Sequence, residues 1–293
     1  MKKVIFKGAA SAIVTPFKSD TEIDKKSFAR LIDFQIENGI DAIVVCGTTG
    51  EASTMPDEEH VAAAKFCVDY VAGRVPVIAG GGSNDTRHGV ELAKKLEQTG
   101  ADALLCVTPY YNKTTQEGLF QHFRRTAEAV KTDILLYNVP SRTGLNINPE
   151  TLKRLCELPN INGLKECNLL QIPDVVAACR DNLNLYSGED GYVQFMMSAG
   201  GCGVISVLAN VMPAYTHDMV KAYLDGDPAR SLKMQVDALP LIKALFCEVN
   251  PIPVKEALNM MGFAVGDPRM PLVTMMPENR EKLRTQLKAF GLI

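Results

Sequence analysis

The chain has no tryptophan and only four histidines in 293 residues. His60, His88, His122 and His217 lie far apart in helix-like stretches, without the H-E-x-x-H spacing that sets two imidazoles on one helical face. No metal is therefore expected, and the four are read as surface or core histidines. The eight cysteines include no C-x-x-C pair, which excludes a zinc ribbon or a thioredoxin-like motif. Cys46, Cys106 and Cys247 have apolar neighbours, as expected of reduced thiols that act as small hydrophobes in a cytosolic protein. An excess of positive charge is missing too. Lysine and arginine number 31 against 34 acidic residues, a net charge of −3, so no nucleic-acid partner is expected. No stretch approaches the ~20 apolar residues of a membrane span. Near the N-terminus, Lys7 cuts short the apolar run Val4-Ile5-Phe6, well below the roughly 7–15 residues of a secretory signal. A soluble, cytoplasmic protein is expected, with no membrane partner.

What is present is enough apolar residue for a sizeable core: 46 % hydrophobic against 22 % charged. Short β-rich runs recur at 9–15, 41–46, 76–79, 103–108, 134–138, 161–165, 185–188 and 204–207, each ended by small or polar residues. The segments between them carry helical periodicity. Phe28, Leu31 and Ile32 follow Asp24, a suitable N-cap. Val61, Ala64, Val68 and Val71 make a stripe behind Pro56 and the acidic Asp57, Glu58 and Glu59. Val90, Ala93 and Leu96 make another, stopped by Gly100. Strand–helix alternation implies parallel strands joined by crossovers. Eight such units, each too apolar to leave a face in water, imply an α/β fold closed into a (β/α)8 TIM barrel over residues 1–225. An open doubly wound sheet is the alternative, but the first run is not followed by its G-x-G-x-x-G loop. Beyond Asp225 only helical patterns remain, at 228–248, 253–261 and 277–290. They read as a C-terminal helical extension over 226–293, packed on the barrel.

Barrel enzymes carry their chemistry where the strands end. Lys165 closes an apolar run, so burial would disfavour its ammonium and leave an amine able to attack a carbonyl. The alternative is a lysine that snorkels to solvent or pairs with Glu166. Tyr137 ends the preceding run and could carry protons to and from a carbinolamine, or be a core tyrosine with a satisfied hydroxyl. Arg142 offers a planar fork to a carboxylate, or is an ordinary solvated arginine. Thr48 and Thr49 supply hydroxyls beside glycines, or cap the next helix. Gly80, Gly81 and Gly82 are not followed by Gly-Lys-Ser/Thr, so they are read as relieving crowding rather than binding phosphate.

Together these pieces resemble the 4-hydroxy-tetrahydrodipicolinate synthase (dihydrodipicolinate synthase) family of pyruvate-dependent class I aldolase/lyase barrels. The shared motifs span the chain: AIVTPF at 12–17, GTTGE at 47–51, PYYNKTTQEG at 109–118, YNVPSRTG at 137–144, GLKE at 163–166, GVISVLAN at 203–210 and NPIPVKEAL at 250–258. The resemblance implies that Lys165 forms a Schiff base with pyruvate. It implies that Thr49 and the backbone at Ile205 help hold the carboxylate and keto group, with Gly188 lining the pocket. Tyr137, Thr48 and Tyr111 are implied as a proton relay, Tyr111 reaching in from a neighbouring subunit, and Arg142 as the receiver of the carboxylate of L-aspartate 4-semialdehyde. The family is typically a homotetramer built as a dimer of dimers, and an iminium needs no organic cofactor as electron sink.

Two departures bear on regulation. Family members inhibited by lysine bind its amine with an acidic side chain where His88 stands here, and Ala52 replaces a serine near the same pocket. His60, Asn84 and Tyr110 still match the effector pattern. The expectation is weak or absent lysine feedback. A third departure, Thr114 in place of a frequent proline, falls in a loop away from the chemistry. Two other functions compete: a sister Schiff-base lyase acting on N-acetylneuraminate or a keto-deoxy sugar acid, which should lack the arginine of YNVPSRTG, and a non-catalytic barrel scaffold, which should lack a relay hydroxyl.

Overall fold

The computed structural model describes residues 2–19 and 22–293. It begins with β1 (Gly8–Ala12), the short antiparallel pair β2 (Phe17–Ser19) and β3 (Glu22–Ile23), and α1 (Lys25–Glu37). Alternation follows: β4 (Ala42–Val45), α2 (Asp57–Val71), β5 (Val77–Gly80), α3 (Thr86–Glu97), β6 (Ala103–Val107), α4 (Gln116–Ala129) and β7 (Asp133–Asn138). Two short helices, α5 (Pro140–Thr143) and α6 (Pro149–Leu155), lead to β8 (Ile161–Glu166). Then come α7 (Ile172–Cys179), β9 (Asn184–Ser187), α8 (Val193–Ser198), β10 (Gly203–Ser206) and α9 (Pro213–Leu224). Three helices end the chain: α10 (Pro228–Leu245), α11 (Ile252–Met260) and α12 (Pro277–Ala289). All strands except β2 and β3 pair in parallel and close into one barrel, in the order β1-β10-β9-β8-β7-β6-β5-β4. This is the (β/α)8 architecture expected from the sequence. Among the described residues no helix is long and apolar enough to cross a membrane.

Successive residues of a strand face opposite sides, and here both sides are dry. Ala10, Ala12, Ala42, Val44, Ile78, Leu105, Leu135 and Ile205 fill the barrel. Their chain neighbours Ala9, Ile43, Val45, Ala79, Leu104, Cys106, Leu136 and Val204 join the helices in a second cluster. That double burial is why the runs show no polar alternation. Inside the barrel, Phe6, which precedes β1, stacks on Tyr186 with ring centroids 4.4 Å apart, and Tyr186 donates to the Phe6 carbonyl at 3.0 Å.

The helices seat as their small residues dictate. Asp24 caps α1, accepting from the backbone of Lys26 and Ser27. In α2 the buried stripe is His60, Ala63, Ala64, Cys67 and Val71, so the expected stripe is rotated and Val61 and Val68 are only half-buried. In α3 it is Gly89, Leu92, Ala93 and Leu96, with Val90 half-buried. Both shifts bring small side chains toward neighbouring elements and allow closer packing. The 80–82 glycines do relieve crowding. A Cβ on Gly80 would lie 2.0 Å from the Cys46 carbonyl oxygen, and one on Gly82 would lie 2.4 Å from the Val107 nitrogen.

Candidate active site

Ladder register decides which side chains meet at the mouth. Tyr137 of β7 partners Lys165 of β8, which in turn partners Tyr186 of β9. Partners on adjacent strands face the same side, so phenol and amine stand together inside the barrel. Lys165 Nζ lies 4.4 Å from the centroid of the Tyr137 ring, and the lysine is only 7 % exposed. Burial pushes its amine below the usual lysine range; Arg142 acts in the same direction, while Cys167, Asp190 and Glu189 oppose it. Glu166 points the other way. Its carboxylate accepts from Asn138 Nδ2 at 2.8 Å, the Asn168 backbone at 2.6 Å and Gln171 Nε2 at 2.8 Å. Burial lifts it to about 7. Lys165 therefore neither pairs with Glu166 nor snorkels to solvent.

A cavity of about 170 Å³ brings Lys165, Tyr137, Thr48, Thr49, Arg142 and Gly188 together with Glu189, Val207, Phe246 and Asn250. Desolvation drives the Tyr137 phenol well above its ordinary range, against the opposing pull of Arg142 and Thr48. The phenol is thus held neutral, able to donate and accept in turn. Arg142 stands exposed at the rim on α5. Ile205 lies inside the barrel in β10 and outside the cavity lining, where Val207 of the same segment stands.

The 47–51 loop carries Thr48 and Thr49 and is flanked by Cys46 at φ 53° and Glu51 at φ 58°. Few residues other than glycine take that left-handed conformation, and the loop is held in it from several sides. Thr15 Oγ1 donates to the Gly50 carbonyl at 2.7 Å, and Asn250 Nδ2 donates to Thr49 Oγ1 at 2.9 Å. Glu51 Oε1 accepts from Lys255 Nζ at 2.8 Å, and its Oε2 accepts from the Arg269 backbone at 2.8 Å. Lys255 is fully buried and also donates to the carbonyls of Thr15 and Asp267. The threonine pair does not cap the next helix, since α2 starts after Pro56 without a side-chain cap.

Tyr111 stands apart from this group. It is 93 % exposed and has φ 68°, and the Asn112 backbone N–H donates across it to the Tyr110 carbonyl at 2.9 Å. That is a tight three-residue turn with a strained central residue.

A second cavity, of about 390 Å³, shares Thr48, Tyr137 and Arg142 with the first and adds His60, His88, Tyr110, Ala52 and Asp57. Asn84 is not in its lining; its carbonyl accepts from Asn112 Nδ2 at 3.0 Å. His60 Nε2 donates to the Gly80 carbonyl at 2.8 Å, and burial lowers its basicity. His88 bridges Asp57 Oδ1 at 2.8 Å and Ser83 Oγ at 2.9 Å, and Lys95 Nζ reaches Asp57 Oδ2 at 3.1 Å. His88 first, and Lys95 after it, hold the Asp57 carboxyl below the usual range.

A closed parallel barrel with a poorly basic lysine and a neutral phenol at its mouth defines a class: enzymes equipped to condense an amine with a carbonyl compound. The dihydrodipicolinate synthetase family model matches residues 5–290, and the chain belongs to that family. It is 55 % identical over 290 residues to the 4-hydroxy-tetrahydrodipicolinate synthase of Caldicellulosiruptor saccharolyticus, covering 98 % of each chain. It superposes on the dihydrodipicolinate synthase of Thermotoga maritima with a TM-score of 0.96 at 43 % identity, covering 99 % of this chain and 100 % of that one. The same score, at 42 % identity and the same coverage, relates it to the Acinetobacter baumannii enzyme solved with pyruvate.

Glu189 and Asn250 line the first cavity without having been singled out from the sequence. Glu189 directly follows Gly188 at the end of β9, among the residues the strand-end rule delivers, but its residue type alone suggests no role. Asn250 lies between α10 and α11, where that rule says nothing.

Proposed function

We propose that this chain condenses pyruvate with L-aspartate 4-semialdehyde, forming 4-hydroxy-tetrahydrodipicolinate in the diaminopimelate route to lysine. Residues 1–225 act as the catalytic barrel and 226–293 as an extension closing one side of its mouth. The observation that carries this reading is a buried, poorly basic Lys165 amine in ladder register with Tyr137. The amine attacks the keto carbon of pyruvate, and loss of water from the carbinolamine leaves an iminium. Loss of a methyl proton to that electron sink gives an enamine, whose carbon bonds to the aldehyde carbon of the second substrate. The second substrate's own amine then attacks the iminium carbon, closes the ring and frees Lys165.

Tyr137, with Thr48 and a Tyr111 supplied by a neighbouring subunit, moves the protons these steps exchange. Thr49 and the backbone near Ile205 hold pyruvate, beside Gly188. Arg142 receives the carboxylate of the aldehyde. The outward, strained Tyr111 fits a residue with work to do in a neighbouring subunit's cavity, in a homotetramer built as a dimer of dimers; the enzyme acts in the cytoplasm. Tyr137→Phe should lower kcat by roughly 10²–10⁴-fold, the usual worth of a positioned proton carrier, while borohydride still traps pyruvate on Lys165. Arg142→Ala should raise KM for the aldehyde by about 10–100-fold, the worth of a charged hydrogen bond, with pyruvate KM nearly unchanged. Coupled assays should give turnover with aspartate semialdehyde and none with N-acetylneuraminate or keto-deoxy sugar acids; the opposite pattern would assign the sister lyase activity.

The second cavity supports insensitivity to lysine. His88 and Lys95 already occupy its Asp57 carboxylate, so an incoming ammonium finds no uncommitted anion there. Steady-state rates should hold across lysine concentrations up to about the upper end of ordinary metabolite ranges, ~1 mM. Strong inhibition below that would overturn the reading.

A further inference from the structure

We propose that Asn250 is a positioning residue for pyruvate, acting through the hydrogen-bond direction it imposes on Thr49. Asn250 belongs to the helical extension, yet it lines the cavity that holds Lys165 and is only 5 % exposed. Its Nδ2 donates to Thr49 Oγ1 at 2.9 Å across 201 positions of sequence. Its Oδ1 is buried and has no partner among the described residues, so the side chain is held for that one contact.

A threonine hydroxyl has one hydrogen to give and two lone pairs to receive with. With a lone pair taken by the Asn250 amide, the hydrogen must turn to another acceptor. The loop around Thr49 cannot swing to offer one: Gly50 is held by Thr15, and Glu51 by Lys255 and the Arg269 backbone. The acceptor left to it is the ligand in the cavity. A carboxylate is the strongest acceptor pyruvate offers, and a donor fixed in advance spends no energy on reorienting when it binds. The inference rests on the proposed role of Thr49 and gives that role a cause. The extension would thereby be part of the pyruvate pocket.

Asn250→Asp keeps the shape of the side chain and reverses its polarity. The carboxylate can only accept, so it draws the Thr49 hydrogen to itself and sets a negative charge beside the bound 2-oxo acid. The expected result is a pyruvate KM raised roughly 10–100-fold, the scale of a charged hydrogen bond, with kcat and the aldehyde KM within about threefold. Asn250→Ala, which only releases the hydroxyl, should raise pyruvate KM by less. Thr49→Val, measured alongside, separates the two ideas. If Thr49→Val raises pyruvate KM and Asn250→Asp does not, Asn250 plays no positioning part and Thr49 keeps its role. If Thr49→Val leaves pyruvate KM unchanged, the role of Thr49 fails and this inference fails with it. Should Asn250→Asp not fold, by its thermal midpoint, the alanine variant decides: a rise in pyruvate KM alone supports the proposal, and equal losses for both substrates overturn it.

Discussion

Lys165→Ala should abolish synthase activity, lowering kcat by about 10⁴-fold or more, the scale seen when a covalent nucleophile is removed. Borohydride reduction of the wild-type enzyme with pyruvate should leave one stable adduct, and peptide mapping should place it on Lys165. Its surroundings give the reason. Enclosure in the barrel weakens the ammonium form more than Asp190 and Glu189 favour it, and among the described residues no carboxylate hydrogen-bonds it. Lys255 is buried more completely, but its nitrogen is committed to Glu51 and two carbonyls, and Lys113 lies in a loop outside the cavity. An adduct on either would refute the site.

The same burial makes a stability prediction with a definite sign. A lysine whose native pKa is lowered binds fewer protons folded than unfolded, between that lowered value and 10.5. Stability contributed by this group therefore rises with pH through that window. Lys165→Met removes the penalty, so it should fold more stably than wild type by roughly 0.5–2 kcal/mol near neutral pH. The advantage should shrink as pH climbs toward 10.5. Denaturant titrations at several pH values would measure it; a less stable variant at pH 7 would contradict the account.

The second large effect is structural. Lys255 and Glu51 form an ion pair at 2.8 Å with both side chains 1 % exposed. Removing one partner leaves an uncompensated buried charge, which costs about 3–5 kcal/mol. Lys255→Ala should lower Tm by roughly 10 °C, given the ~2–4 °C per kcal/mol of large domains. Replacing both residues by well-fitting apolar side chains should restore most of that loss, because the pair also bears a desolvation cost. Calorimetry of the single and double variants tests this. A single variant with wild-type Tm would show that the network does not hold the 47–51 loop.

The barrel was legible because each strand is buried on both faces and so declares itself as an apolar run, within a residue or so of its observed ends for all but the first, whose run overshoots Ala12 by three. The convergence of Lys165, Tyr137 and Arg142 on one cavity was legible because they stand at or just beyond strand ends, where a barrel opens. The β2–β3 pair was not, since Phe17–Ser19 and Glu22–Ile23 are too short and too polar to carry a period. The buried stripes on α2 and α3 lie about one position from where the apolar pattern sets them, because Ala63, Cys67 and Gly89 are small and count little in a hydrophobic pattern while they govern how closely helices pack. Asn250 and Lys255 fall in the shared NPIPVKEAL stretch, but their contacts were hidden for a different reason. Their partners Thr49 and Glu51 lie 201 and 204 positions away, and no local pattern reports a contact of that range. Tyr111 was legible as a relay candidate only by family resemblance; its outward, left-handed turn is a feature of folded geometry.

Because Tyr137 and Lys165 sit opposite one another on hydrogen-bonded strands, their separation behaves like a lattice constant of the sheet. Loop exchange around the rim can reshape the cavity entrance without moving this pair. A slip of one residue between β7 and β8 would turn one of them out of the interior. A scaffold of this kind is permissive toward substrate drift and intolerant of misalignment, so new specificities can arise by replacing rim segments while the staves stay fixed.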